Sequence, residues 1–442
     1  MKLATGGVFS PCSNPLLQGS NNGLFSSNSC ALVSNTRRVC GSHSNLSLKA
    51  NSSWNSEGSV AGQCLASNAA RIKDKWMEFQ GIKNWEGLLD PLDDGLRDEI
   101  LRYGEFVEAA YRCFDFDTSS PGYATCRYPK GSMLSDCGVG VAGYKVTKSL
   151  HATCGVSLPD WTERIPAGWV STQSSWIGYV AVCNDKAEIA RLGRRDVVIA
   201  YRGTATCMEW IENLRANLTC LPCDMAPDNC QSMVQSGFLS LYTSRAAGRP
   251  SLQDSIRGEI DKILQKYADE PLSITVTGHS LGAALATLTA HDINTTFRHA
   301  PLVTVVSFGG PRVGNKNFRR TLERNGTKVL RIVNSDDPIT KVPGFVLEEN
   351  APQRTKGGGG MGLSNWLQKR MEDTQWVYAE VGNELRLSSR DCPHLSNGSV
   401  ATCHDLKTYL HLVDNFVVQI ALLRATAKRV IEQTSGEATA FV

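Results

Sequence analysis

Along the chain the hydrophobic pattern changes period, and each change marks an element. From Arg195 onward, unbroken aliphatic runs alternate with segments whose apolar residues recur at helical spacing. Val197-Val198-Ile199-Ala200-Tyr201, Ile274-Thr275-Val276-Thr277, Leu302 to Phe308 and Lys328 to Val333 read as buried strands. Helices are expected over Ser251 to Tyr267 and from Leu281 to Asn294, followed by a late strand around Trp376 to Glu380 and a closing helix over Leu406 to Ala427. Strands buried on both faces and separated by helices imply an α/β fold, with a mostly parallel central sheet covered by helices on both sides.

Upstream the signals are shorter. Asp90-Pro91-Leu92-Asp93 has the chemistry of a helix start, and Leu96, Ile100, Leu101, Tyr103, Phe106, Val107 and Ala110 then recur at helical spacing through Tyr111, predicting a helix from about Asp94 to Phe114. Gly143-Tyr144-Lys145-Val146 and Trp176 to Val182 read as short strands, and Gly357 to Gly360 marks an insertion. The expected organisation is a leader at 1–65, a helical extension at 66–130 packing on the core, the α/β domain at 131–428, and a flexible tail at 429–442.

Composition narrows the class. A net charge of +3, with 41% hydrophobic and 20% charged residues, fits a soluble globular chain and gives no reason to expect a nucleic-acid partner. No stretch is apolar for long enough to span a bilayer as a helix, so any membrane contact must be peripheral. The 15 cysteines form no even framework, which favours reduced thiols inside a cell. The leader has no acidic residue before Glu57 and is dense in Ser and Asn, the composition of an organellar transit peptide; a disordered tail is the alternative. Serine dominates over arginine, which favours the chloroplast over the mitochondrion.

Candidate chemistry centres on Gly278-His279-Ser280-Leu281-Gly282, set between a predicted strand and a predicted helix. A serine at such a turn, with a glycine two residues to either side, has the form of a nucleophile elbow in an α/β-hydrolase fold. The acid and then the histidine of a triad should follow it in the chain. Asp336 and Asp337 directly follow the strand ending at Val333, and His394, His404 and His411 lie beyond them. His404 precedes the closing helix, in the loop position the role needs, whereas His411 falls within that helix. The amide of Leu281 at the helix start is one candidate oxyanion donor, and Thr204, in the turn after the strand ending at Tyr201, is another. That turn could equally be an ordinary strand exit.

Tyr201-Arg202-Gly203-Thr204, the elbow, Phe308-Gly309-Gly310-Pro311-Arg312-Val313-Gly314-Asn315 and Asn334-Ser335-Asp336-Asp337 together resemble the class 3 lipases. Asn84-Trp85-Glu86-Gly87-Leu88-Leu89-Asp90-Pro91-Leu92 and Arg102-Tyr103-Gly104-Glu105-Phe106 are similar to plant phospholipases A1 of the plastid-targeted, DAD1-like group. The resemblance covers residues 75 to 425 approximately. It implies hydrolysis of the sn-1 acyl ester of membrane glycerolipids, phosphatidylcholine and galactolipids among them, in plastids, without metal or organic cofactor. By the same resemblance Asp337 matches the acid, His404 the base, and Thr204 and Leu281 the oxyanion positions. One departure is Pro338, where a small aliphatic residue is usual.

Class 3 lipases carry a lid after the Tyr-Arg-Gly-Thr turn. Here Trp210, Ile211, Leu214 and Leu218 fall on one helical stripe, able to cover a pocket in water and to meet lipid at a bilayer surface; plain core is the alternative. Cys220, Cys223 and Cys230 lack the further ligands of a zinc site, and a disulfide among them is a second possibility beside unpaired thiols. Two rival functions are a lipase-like scaffold that binds without turnover and an esterase of soluble esters.

Overall fold

A computed structural model describes residues 71–139, 143–153, 174–204, 217–227, 231–246, 248–343, 377–392, 395 and 399–416. After a helical stretch at 71–79, its elements are α1 (Asp94–Cys113), α2 (Met133–Asp136), β1 (Tyr144–Thr153), β2 (Ser174–Cys183), α3 (Lys186–Leu192) and β3 (Arg195–Tyr201). Then come β4 (Leu218–Cys220), β5 (Met233–Gln235), α4 (Ser236–Thr243), α5 (Leu252–Lys266), β6 (Leu272–His279), α6 (Leu281–Thr296) and β7 (Leu302–Phe308). The series ends with α7 (Lys316–Arg324), β8 (Lys328–Asn334), β9 (Asn383–Leu387) and α8 (Val400–His404), and helix resumes at 406–416. The leader, Trp210, Ile211, Leu214, Cys230, the Gly357 to Gly360 run, His394, and the closing helix and tail beyond residue 416 lie outside the described residues.

Among the described residues, seven strands form one sheet in the order β1-β2-β3-β6-β7-β8-β9. β1, β2 and β3 pair antiparallel, and β3, β6, β7, β8 and β9 run parallel. The parallel half carries the continuous aliphatic runs because both of its faces are covered. Val197, Ile199, Tyr201, Ile274, Val276, Val303 and Val305 pack on one side against α4, α5 and α6; Val198, Ala200, Val306, Phe308, Leu330 and Ile332 pack on the other against α1 and the helix at 406–416. This is an α/β-hydrolase sheet with β6 at its centre.

The final strand differs from its expected place. It is Asn383–Leu387, whereas Val377 and Ala379 make only isolated bridges. Leu385 and Leu387 turn inward while Arg386 faces solvent, the period-2 pattern of a one-sided strand, whereas Val377, Tyr378 and Ala379 are buried in succession. Leu218 is likewise not on a helical stripe. It begins β4, where it is buried and pairs with Gln235, because Leu218-Thr219-Cys220 lies flat against β5.

The extension seats on a polar row of the sheet. On the side of β6 away from Ile274 and Val276 stand Ser273, Thr275 and Thr277, all fully buried. α1 is capped by Asp93, whose side chain accepts the Gly95 N–H at 2.9 Å. From its buried face Tyr103 meets Thr275 at 3.0 Å. Gln80 accepts from the Thr275 hydroxyl at 3.0 Å, and its carbonyl accepts from Thr304 at 2.7 Å. Arg102 pairs with Glu99 at 2.8 Å and with Asp196 at 2.9 Å, and Arg194 reaches Glu99 at 2.9 Å. Burial alone would raise the Glu99 pKa, but the two guanidiniums outweigh it and hold the carboxyl at about 2.

Candidate active site

Between β6 and α6 the chain turns through Ser280, held at φ 58°, ψ −125°. Such a backbone costs an L-residue about 1–3 kcal/mol and persists only where its surroundings enforce it. Here two glycines let those surroundings close in. A Cβ on Gly278 would lie 2.4 Å from the Gly282 backbone, and one on Gly282 would lie 2.6 Å from the Arg202 carbonyl oxygen. The ends of β3 and β6 and the start of α6 thus meet backbone to backbone around the serine, which is what the Gly-x-Ser-x-Gly spacing permits. The Ser280 N–H donates to the Phe308 carbonyl at 3.0 Å, tying the turn to β7.

Asp337 follows β8 and stands at the head of a short 3-10 turn, Pro338–Lys341. Its Oδ1 accepts the Ile339 N–H at 2.9 Å. Pro338 occupies the first position of that turn, where no N–H is needed and a fixed φ helps, so the departure from the usual aliphatic residue fits the local geometry. The other oxygen, Oδ2, meets His404 Nδ1 at 2.6 Å. Asp337 is fully buried and His404 nearly so. Water is therefore excluded from the one carboxylate–imidazole contact that orients the ring.

Two residues hold this pair: Tyr409, which the sequence pattern did not single out, and Asn334, the first residue of the motif that ends at Asp337. The Tyr409 hydroxyl donates to Asp337 Oδ2 at 2.6 Å and accepts the Asn334 N–H at 3.3 Å. The Asn334 side chain donates to the Cys403 carbonyl at 3.0 Å and accepts the Ser389 N–H at 3.1 Å. His404 was expected in a loop but ends α8, a short helix capped by Ser399, and these bonds clamp that helix end to the turn carrying Asp337 at the carboxyl edge of the sheet. In the sequence Tyr409 reads as one more apolar position of a helix, and no local signal distinguishes it.

His279, beside the serine, is a second junction. Its Nε2 lies 2.7 Å from the His404 carbonyl and its Nδ1 2.7 Å from the Tyr111 hydroxyl. Burial first, and the neighbouring His404 second, push its pKa well below the usual value, so the ring is neutral. A carbonyl can only accept, so Nε2 carries the proton and Nδ1 accepts from Tyr111. The Tyr111 oxygen in turn accepts the Gly203 N–H at 2.9 Å. One chain of hydrogen bonds therefore runs from the backbone of His404, through the residue preceding the serine, to the turn after β3.

That turn lies directly over the nucleophile: a Cβ on Gly203 would be 3.0 Å from Ser280 Cβ. Arg202 shapes it, donating to the Trp176 carbonyl at 3.0 Å and the Gly203 carbonyl at 2.7 Å, with its guanidinium 3.5 Å from the Phe114 ring centroid. Burial lowers the Arg202 pKa to about 10. Next along the turn, the Thr204 hydroxyl is buried and has no hydrogen-bond partner among the described residues. Leu281 is the first residue of α6, so its N–H has no acceptor one turn back within that helix.

Of the remaining candidates, Asp336 turns away and accepts from Ser388 at 3.0 Å and Ser389 at 3.1 Å while pairing with Arg390 at 2.8 Å. His411 is exposed and lies 3.5 Å from Cys392 Sγ. Cys220 and Cys223 are exposed free thiols. Leu218 sits in β4, apart from any helical stripe.

Residues 198–347 match the family profile Lipase (class 3). The chain is 62% identical over 368 residues, 82% of its own length, to a chloroplastic phospholipase A(1), DAD1, of Arabidopsis thaliana, covering 81% of that protein. It is 40% identical to a chloroplastic galactolipase, DONGLE, of the same plant, over 77% of this chain and 69% of that one. Among solved structures, a lipase from Rhizopus microsporus var. chinensis aligns over 57% of this chain and 70% of its own, at 20% identity and a TM-score of 0.40.

Proposed function

The chain belongs to the class 3 lipases, in the group of plant chloroplast phospholipases A1, and from that premise we propose that Ser280, His404 and Asp337 hydrolyse its acyl ester. The protein is a plastid carboxylic ester hydrolase of membrane glycerolipids that releases the sn-1 acyl chain. The Ser280 hydroxyl attacks the ester carbonyl while His404 takes its proton, and Asp337 holds the ring so that the nitrogen opposite Nδ1 faces the serine. Negative charge then develops on the carbonyl oxygen. The Leu281 N–H and the Thr204 hydroxyl or N–H receive it, a contribution of about 3 kcal/mol per donor. Collapse passes the proton from His404 to the glycerol oxygen and frees the lysolipid; water repeats the cycle on the acyl-enzyme. The observation carrying this reading is the contact of a buried Asp337 with His404 at 2.6 Å, beside a serine in a positive-φ elbow. The buried Thr204 hydroxyl, without a partner among the described residues, supports the oxyanion role, since an orphan polar atom costs free energy unless a ligand meets it.

The substrate is met at a bilayer surface by peripheral contact. The test uses the full chain on vesicles of phosphatidylcholine and, separately, of galactolipid, with the freed acyl chain and the remaining lysolipid identified. Wild-type enzyme should release the sn-1 chain, and Ser280→Ala should lose about six orders of magnitude in turnover. Equal release by Ser280→Ala would overturn the mechanism. Turnover of soluble esters with none from vesicles would replace the surface reading with that of a soluble esterase.

A further inference from the structure

Where α1 ends, three thiols converge. Cys113 is the last residue of α1, Cys126 faces Phe114 in an antiparallel bridge, and Cys137 follows α2 directly. The bridge is flanked by hydrogen bonds from Asp115 N–H to the Thr125 carbonyl at 3.0 Å and from Arg127 N–H to the Cys113 carbonyl at 2.7 Å. Those bonds make Phe114 and Cys126 a narrow pair, the spacing at which facing side chains come closest. Cys113 Sγ and the Cys137 N–H share the Met133 carbonyl, at 3.8 Å and 3.1 Å. The Cys126 thiol donates to the Tyr128 carbonyl at 3.3 Å, and the Arg127 N–H bond to Cys113 sets the Cys126 strand against the end of α1. All three are free thiols, and only Cys126 is partly exposed. The neighbouring Cys113 lowers the Cys126 pKa to about 7, while Cys126 and burial raise that of Cys113. The acyl-hydrolase mechanism uses none of these groups.

We propose that Cys126 is a thiol–disulfide exchange site resolved by Cys113, taking a low-molecular-weight disulfide as oxidant. The Cys126 thiolate attacks one sulfur of the oxidant, forming a mixed disulfide and expelling one thiolate. Cys113, losing its proton to the expelled thiolate, then attacks Cys126 Sγ and expels the second. Two protein thiols are oxidised, one disulfide is reduced, and a dithiol reverses the exchange. The bond encloses the segment from Phe114 to Thr125, on whose Phe114 ring the Arg202 guanidinium rests, and it closes two residues beyond Tyr111. The exchange therefore bears on both supports of the turn at Gly203.

The test treats reduced full-length enzyme with glutathione disulfide at pH 8, blocks remaining thiols by alkylation, and maps disulfide-linked peptides by mass spectrometry. A Cys113–Cys126 link that dithiothreitol removes is the expected result. In the reduced protein Cys126 should also alkylate with a midpoint near pH 7. Cys113→Ala should leave Cys126 carrying a persistent glutathione adduct. No link to Cys126, or a link to Cys137 in preference to Cys113, would overturn the assignment; both are read on the wild-type protein, whatever the fate of the variant.

Discussion

At the scale of single residues, the proposed triad depends on Tyr409 as much as on spacing. A hydroxyl donated to a buried carboxylate is worth about 1.5–3 kcal/mol, and Tyr409 gives that bond to the same Asp337 oxygen that meets His404. Without it the carboxylate can rotate, and the ring it orients loses its fixed tautomer. Tyr409→Phe should therefore lower kcat on phosphatidylcholine vesicles by about 10- to 100-fold with KM little changed, since the lost bond touches no substrate. Steady-state kinetics beside a thermal melt checks this: a loss confined to KM would place Tyr409 in substrate binding. Asp336 shows why adjacent carboxylates cannot be told apart locally. Both follow β8, and only the partners each finds separate them: Ser388, Ser389 and Arg390 for one, His404 and Tyr409 for the other.

At the scale of elements, the helix over Asp94–Cys113 and the aliphatic strands were readable because burial imposes a period on each. The ion network beneath α1 was not, since Glu99 and Arg102 look like an ordinary solvated helix pair until Asp196 and Arg194 arrive from β3 and the turn before it. Its pH signature has a definite sign. Glu99 titrates at about 2 in the fold, below an ordinary value of 4.5. Its contribution is therefore fully present above pH 4.5 and is lost as pH falls toward 2, an amount of about 3 kcal/mol. Melting temperatures of wild type and Glu99→Gln, compared from pH 7 down to pH 3, should converge as the acid limb is reached. Parallel curves would show that Glu99 is not the group responsible. β9 was misplaced by a few residues because a short, one-sided edge strand carries only two inward leucines as its signal.

For the whole molecule, the extension and the catalytic edge are one construction, with Tyr111 as the joint. It leaves α1 to hold His279 and the Gly203 N–H together, and each partner is buried or backbone, so removing the hydroxyl leaves two polar groups unsatisfied. Tyr111→Phe should stay folded by circular dichroism yet lose about tenfold or more in kcat, with slower labelling of Ser280 by an organophosphonate. Unchanged labelling would sink the idea that the extension positions the site. The amino-acid order by itself determined the alternation of strand and helix and the elbow at Ser280, because periodicity and turn stereochemistry act over a few residues. Only the tertiary structure decided which carboxylate meets the histidine, and that Tyr409, Asn334, His279 and Tyr111 hold the site in place. Their partners lie far off in the chain, 72 residues for Tyr409 and Asp337 and 168 for Tyr111 and His279. Strand order across the sheet, which no local pattern encodes, brings them within hydrogen-bond reach.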